Sequence, residues 1–123
     1  MTKAKILVVD DNFFTREVQK DLLIEIGYKE IYEAEDGKQA ISEFKKQKPD
    51  LVLLDIILPD TEGDKVLAEI KDINPKQKVI MVTAVGHKLM TERCKKLGVS
   101  GYVLKPINPD KLEAIVKKVL SKS

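Results

Sequence analysis

The chain has 123 residues, of which 43% are hydrophobic, and this is enough for one domain with a buried core. Its 22 basic and 20 acidic side chains leave a net charge of +2, and the lysines are not grouped with arginines or aromatics, which predicts no nucleic-acid partner. No apolar run approaches the roughly 18 residues of a membrane span, and one cysteine, Cys94, cannot form an internal disulfide, so we predict a soluble cytoplasmic domain without membrane insertion.

The N-terminal part of the chain predicts a buried strand, a helix and an edge strand. KILVVD at 5–10 is continuously apolar and too short for a helix, as is typical of a strand covered on both faces. Apolar residues then recur at every fourth position and predict a core-facing stripe, which consists of Phe14, Val18, Leu22 and Ile26. Gly27 suits the end of this helix. EIYEA at 30–34 alternates polar and apolar residues, which favours a partly exposed edge strand.

The middle of the chain continues this alternation. A second helix is predicted to begin near Asp36 and to end before Pro49, and its core residues are Ala40, Ile41 and Phe44. LVLLD at 51–55 predicts the third strand. The helix after it ends before Pro75, and its core residues are Val66, Leu67 and Ile70. KVIMVT at 78–83 predicts the fourth strand.

The C-terminal part adds two helices and one strand. The fourth helix stops at Gly98, and its core residues are Met90, Cys94 and Leu97. GYVLK at 101–105 predicts the fifth strand. The last helix begins at Asn108 or Asp110 with Pro109 in its first turn, and its core residues are Leu112, Ile115, Val116 and Val119.

Five strands alternating with five helices predict a parallel sheet with helices on both faces. The alternating second strand belongs at an edge, which favours the flavodoxin-like, doubly wound α/β order 2-1-3-4-5. The chain shows no internal repeat and no linker, so residues 1–123 are predicted to form a single domain without a separate output domain.

Reactive side chains stand at the carboxyl ends of four of these strands, where ligands bind in such folds. They are Asp10 and Asp11 after the first strand, Asp55 after the third, Thr83 at the end of the fourth and Lys105 after the fifth. Two carboxylates about 4 Å apart repel by roughly 4 kcal/mol at an effective dielectric constant near 20, so either some are protonated or a cation lies among them. Hard oxygen ligands without His or Cys favour Mg²⁺ or Mn²⁺.

A metal ion, a lysine and a hydroxyl around carboxylates are typical of a site for a phosphoryl group. An aspartate can itself be the nucleophile and become an acyl phosphate. Asp55 is the best candidate because its strand is central and the Asp10–Asp11 pair is better placed to hold the metal. The simpler alternative for Asp11 is a cap of the first helix.

In combination and in order, four motifs resemble a response-regulator receiver domain of the stand-alone chemotaxis type. They are VVDDN at 8–12, LLDIILPDTEG at 53–63, VTA at 82–84 and GYVLKP at 101–106. The resemblance covers the chain from Lys5 to about Leu120.

The resemblance implies a role for each site residue. Asp10 and Asp11 match the acidic pair that positions Mg²⁺, Asp55 matches the phosphoryl acceptor, and Ile57 would offer its backbone carbonyl to the metal. Lys105 matches the lysine that contacts the phosphoryl oxygens.

The family also implies a switch. The bond between Lys105 and Pro106 would be cis, which aims the lysine into the site. Thr83 would move toward the phosphoryl group, and Tyr102 would fill the space that Thr83 leaves. The surface of the fourth helix, fifth strand and fifth helix would then change and control partner binding.

The function implied is that of a signalling phospho-acceptor rather than a metabolic enzyme. Its phosphodonor would be a histidine kinase, its target a protein such as the flagellar motor switch, and its state a monomer. A phosphorelay or kinase-regulating receiver is the alternative within the family, as is a degenerate receiver that binds partners without phosphorylation.

Two other protein classes fit the sequence less well. A phosphatase of the haloacid-dehalogenase type would need an acid two residues after its nucleophile, where Asn12 follows Asp10, and it would need a cap domain. A flavodoxin would need to hold a phosphate against the repulsion of Asp10 and Asp11.

Ile57 and Val85 are apolar at positions where many receivers carry polar groups beside the incoming water. Neither side chain can orient a hydrolytic water, so we predict slow autodephosphorylation.

Overall fold

The computed structural model describes residues 4–121, in which five strands alternate with five helices. The elements are β1 Lys5–Val9, α1 Phe13–Glu25, β2 Glu30–Ala34, α2 Gly37–Gln47, β3 Leu51–Leu54, α3 Gly63–Ile73, β4 Lys78–Thr83, α4 Lys88–Lys96, β5 Gly101–Leu104 and α5 Pro109–Ser121. Each predicted strand and helix is present, and the bounds differ from the predicted ones by only a residue or two.

All strand pairs are parallel, and the sheet has the order β2-β1-β3-β4-β5. The predicted flavodoxin-like α/β order is therefore confirmed, with β2 at an edge. Val9 is in register with Leu54, and Thr83 is in register with Leu104, so the carboxyl ends of the four strands β1, β3, β4 and β5 lie side by side.

The central strands are buried on both faces, as their continuous apolarity predicts. Leu7 and Val9 of β1 pack in a cluster that also contains buried residues of α2, α3 and α4. Ile6 and Val8, which point to the opposite face, pack in a second cluster with buried residues of α1 and α5. The helices thus form two layers that hold the sheet between them.

Helix α1 buries a different face from the one that the four-residue spacing predicts. Phe14 is 77% exposed and Val18 is 48% exposed, whereas Arg16, Gln19 and Leu23 are buried. The predicted core-facing stripe is therefore wrong for the N-terminal half of α1. Hydrogen bonds from Arg16 to Asp10 O and to Glu33 orient this end of the helix. Further along, Leu22 and Ile26 do pack against the second cluster.

Glycines end two helices where the backbone needs a positive φ. Gly27 follows α1 with a φ of 111°, and Gly98 follows α4 with a φ of 92°. Side chains cap the N-termini of α1 and α2. Asn12 accepts a hydrogen bond from Thr15 N, and Asp36 accepts one from Gln39 N. Among residues 4–121, no helix is long and apolar enough to cross a membrane.

Gly63 lets α3 begin directly against the backbone of Asp55. Its N–H donates to the carbonyl of Ile56 at 2.6 Å, and a Cβ at this position would overlap the carbonyl oxygen of Asp55. We expect Gly63→Ala to lower the free energy of unfolding by about 3 kcal/mol, since neither backbone segment can move without displacing β3. Urea denaturation measures the loss.

The matched control for this prediction is Gly27→Ala. A Cβ at Gly27 meets no heavy atom within 4 Å, so this variant carries only the strain of its φ of 111°, about 1 kcal/mol. Equal losses in the two variants would contradict a collision at Gly63.

Candidate functional site

Three side chains from three strand ends meet at one buried point. Lys105 Nζ donates to Asp10 Oδ2 at 2.7 Å and to Asp55 Oδ2 at 2.7 Å. Both carboxylates are almost completely buried, while the lysine keeps some contact with solvent. Residues that are 95 and 50 positions apart in sequence are therefore adjacent because parallel strands end at the same edge.

Every polar atom of the Asp10 side chain has a partner. Oδ1 accepts from Asn12 N at 2.9 Å, and Oδ2 accepts from Lys105. Burial nevertheless raises the pKa of Asp10, because desolvation of the carboxylate outweighs the bonds from Lys105 and Asn12. A nearby cation would stabilise the ionised form of such a carboxylate.

Lys105 is held in its charged form. Burial by itself would lower the pKa of this ammonium, but the hydrogen bonds and the charges of Asp10 and Asp55 outweigh burial, so the pKa is raised. The Lys105–Pro106 peptide bond is cis, as the resemblance implies.

Asp11 completes a group of three carboxylates. Its side chain is exposed, and oxygen atoms of Asp10, Asp11 and Asp55 all lie within 4.8 Å of one another. Three carboxylates at this spacing, with no His or Cys among them, fit Mg²⁺ or Mn²⁺ in charge and in ligand chemistry. The capping alternative for Asp11 is wrong, because Asn12 caps α1.

Thr83 and Tyr102 are joined through the backbone of Val85. Thr83 is fully buried at the end of β4, and its Oγ1 accepts from Val85 N at 3.3 Å. The Tyr102 hydroxyl donates to the carbonyl of Val85, and its ring packs against the first core cluster. Burial of the ring raises the pKa of Tyr102 to about 12, so the hydroxyl remains a donor.

The loop after β3 is anchored at two points. Ile57 N donates to Asp55 Oδ1 at 3.2 Å, while the Ile57 side chain is 59% exposed at the rim of the site. Further along, the Asp60 carboxylate accepts from Gly37 N at 2.8 Å and from Lys38 N at 3.0 Å, and these bonds lower the pKa of Asp60. The loop that carries Ile57 is thus tied to the N-terminus of α2.

Arg16 is a site residue that the sequence reasoning missed. It is only 7% exposed, and its Nη1 donates to the backbone carbonyl of Asp10 at 2.6 Å. The sequence did contain a clue to its burial. Arg16, Gln19 and Leu23 are three and four residues apart and therefore share one helix face with an apolar residue. An arginine on a core-facing position points to a specific polar partner.

The sequence is similar to those of known proteins over almost its whole length. The family model described as the response regulator receiver domain matches residues 6–117. The chemotaxis protein CheY of Bacillus subtilis is 36% identical over 117 residues, which cover 95% of this chain and 98% of that protein. The sporulation initiation phosphotransferase F of the same organism is 36% identical over 120 residues, which cover 98% and 96% of the two chains.

The fold is also similar to that of a solved structure. A chain of the CheX–CheY–BeF3–Mg²⁺ complex from Borrelia burgdorferi matches with a TM-score of 0.91 at 28% identity, over 95% of this chain and 89% of that one. The family match runs from β1 into α5, so it includes the three strand ends that meet at Lys105. This chain belongs to the response regulator receiver domain family.

Proposed function

We propose that this chain is a phosphorylation-controlled switch in which Asp55 accepts a phosphoryl group from a histidine kinase. The observation that carries the proposal is the contact of Lys105 Nζ with both Asp10 and Asp55, beside the exposed carboxylate of Asp11. A half-buried ammonium group and three carboxylates in one crevice suit a reaction that brings a multiply charged phosphoryl group to an aspartate.

In the transfer step an oxygen of the Asp55 carboxylate attacks the phosphorus of the donor. The bond from phosphorus to the donor atom breaks, and the donor leaves with that electron pair. Lys105 then turns its ammonium from Asp55 to an oxygen of the bound phosphoryl group, and the Thr83 hydroxyl donates to another. Held by Asp10, Asp11, Asp55 and the carbonyl of Ile57, Mg²⁺ would offset negative charge on the phosphoryl oxygens. The related CheY complex contains Mg²⁺, which supports this assignment.

The signal leaves through Tyr102 and the surface around it. Movement of Thr83 toward a phosphoryl group withdraws its Oγ1 from Val85 N, and the same Val85 residue accepts the Tyr102 hydroxyl bond. A local charge at Asp55 therefore biases the position of the segment between β4 and α4. The α4–β5–α5 surface, on which Leu104 is exposed, would dock a target protein.

A chemotaxis role in the cytoplasm, with the flagellar motor switch as target, is the first candidate because a relative is named chemotaxis protein CheY. A phosphorelay role is the second candidate. It is supported by another relative, named sporulation initiation phosphotransferase F, which is also 36% identical to this chain. Family membership speaks against the phosphatase and flavodoxin alternatives.

The test is intact-mass spectrometry after incubation with acetyl phosphate. We expect one phosphoryl adduct with Mg²⁺, and none after Mg²⁺ is removed with EDTA, because Asp10, Asp11 and Asp55 would then repel the donor. Hydroxylamine should remove the adduct, as it does an acyl phosphate. No adduct in folded protein with Mg²⁺ would instead support the phosphorylation-independent receiver.

The apolar residues at the rim predict a long phosphoryl lifetime. The Ile57 side chain is exposed, whereas the Val85 side chain is half-buried and packs against the first core cluster, so urea denaturation of the variant must show that it stays folded. We expect the double variant Ile57→Asn, Val85→Glu to lose its phosphoryl group about tenfold or more faster, since polar groups can orient the water. The decay of the adduct measures this, and an unchanged lifetime would contradict it.

A further inference from the structure

Arg16 connects α1 to Asp10, which directly follows β1, and to Glu33 of β2. Its Nη1 donates to the carbonyl oxygen of Asp10 at 2.6 Å, and its Nε donates to Glu33 Oε1 at 3.0 Å. Glu33 Oε2 accepts in turn from Lys20 Nζ at 2.9 Å. The guanidinium also lies over the Phe13 ring, 5.9 Å from its centroid. With these contacts the Arg16 side chain has little freedom to move.

The carbonyl that Arg16 holds belongs to the peptide unit between Asp10 and Asp11. This unit is planar, so fixing its oxygen also fixes the direction of the Asp11 N–H and Cα. The other polar atoms of Asp10 have separate partners, because its N–H donates to Ala34 O and its carboxylate binds Asn12 N and Lys105. The remaining polar atom of Asp10 is its carbonyl oxygen, and Arg16 binds it. Arg16 therefore fixes the peptide unit that leads to Asp11.

Asp11 depends on its backbone for its position. Within residues 4–121, no side chain or backbone group donates a hydrogen bond to the Asp11 carboxylate, and no cation pairs with it. Its oxygen nevertheless lies within 4.8 Å of oxygens of Asp10 and Asp55. The orientation of the preceding peptide unit thus decides where this exposed carboxylate stands.

We propose that Arg16 is a positioning residue for divalent cation binding, which orients the Asp10–Asp11 peptide so that the Asp11 carboxylate faces those of Asp10 and Asp55. The proposal rests on the proposed function, in which these carboxylates hold Mg²⁺. Partners that orient ligands without touching the metal typically change its affinity by 10- to 100-fold.

The test compares Arg16→Met with Lys20→Met. Both variants remove one cation from Glu33, but only the first removes the bond to the Asp10 carbonyl. We expect isothermal titration calorimetry to show a Kd for Mg²⁺ raised about tenfold in Arg16→Met. In Lys20→Met the Kd stays at the wild-type value. Urea denaturation of the same samples gives the stability separately.

A kinetic split distinguishes positioning from general damage. With acetyl phosphate, Arg16→Met should need about tenfold more Mg²⁺ for half-maximal phosphorylation, yet reach the wild-type rate at saturating Mg²⁺. Arg16→Lys, which keeps the charge and one donor, should restore part of the affinity and serves as the test if Arg16→Met does not fold.

Two outcomes would overturn the proposal, and they differ from each other. An unchanged Mg²⁺ Kd in a destabilised Arg16→Met or Arg16→Lys variant would show that Arg16 only supports the fold, while the proposed function stands. No Mg²⁺ binding by the wild-type chain would refute the metal site itself, and with it the role of Arg16.

Discussion

Replacing Asp55 with asparagine should abolish phosphorylation by acetyl phosphate, with a loss that exceeds the detection range of intact-mass spectrometry. An amide oxygen carries no full negative charge and cannot displace the donor, so the acyl phosphate cannot form. The change is nearly isosteric, and an amide Oδ1 can still accept the bond from Ile57 N. We therefore expect the Asp55→Asn chain to stay folded.

The matched control is Asp11→Asn. Asp11 is exposed and belongs to the same carboxylate group, but it is not the acceptor. This variant should need more Mg²⁺ and still form one adduct at Asp55. An adduct of undiminished yield in Asp55→Asn would place the nucleophile elsewhere. Asp10 would then be the next residue to exchange, because Lys105 binds it in the same way.

Replacing Lys105 with methionine should separate metal binding from phosphoryl transfer. We expect the rate of phosphorylation to fall by about 100-fold or more, because the ammonium no longer meets the charge that develops on the phosphoryl oxygens. We expect Mg²⁺ to bind more tightly, because Lys105 Nζ and the metal compete for the carboxylates of Asp10 and Asp55. Calorimetry and the initial rate of adduct formation give the two quantities.

The free energy of unfolding should also depend on the ion pairs of Lys105 with Asp10 and Asp55. Without Lys105 two buried carboxylates lose their cation, so the free energy of unfolding in EDTA should fall by about 3 kcal/mol, and Mg²⁺ should restore most of it. Lys111→Met is the control, because Lys111 is exposed on α5 and has no ion pair among the residues 4–121. Parallel loss of Mg²⁺ affinity and of transfer in Lys105→Met would contradict the competition.

The sequence by itself determined the strands and the composition of the strand ends. A run such as LVLL is typical of a strand buried on both faces, because it has no polar side chain to face water, and β3 is buried in this way. Once four such runs and one alternating edge strand are separated by helices, parallel pairing brings Asp10, Asp55 and Lys105 to one edge. The convergence of these residues was therefore predictable without coordinates.

Only the tertiary structure decided which face α1 buries. Phe14 and Val18 follow the predicted four-residue spacing, yet they are exposed, whereas Leu23, which lies outside that spacing, is buried. Hydrophobic periodicity scores single side chains, whereas the rotation of a helix depends on contacts made across the fold. The bonds of Arg16 to Asp10 O and Glu33 are such contacts.

The tertiary structure also decided the polar contacts that hold the site in place. The bond from Lys105 to Asp10 spans 95 positions, and the bonds from Gly37 N and Lys38 N to the carboxylate of Asp60 span 23 and 22 positions. A sequence motif names residue types but carries no direction for a hydrogen bond. Residue types at strand ends therefore follow from local pattern and topology, while the partners of Arg16, Asp60 and Lys105 follow from packing.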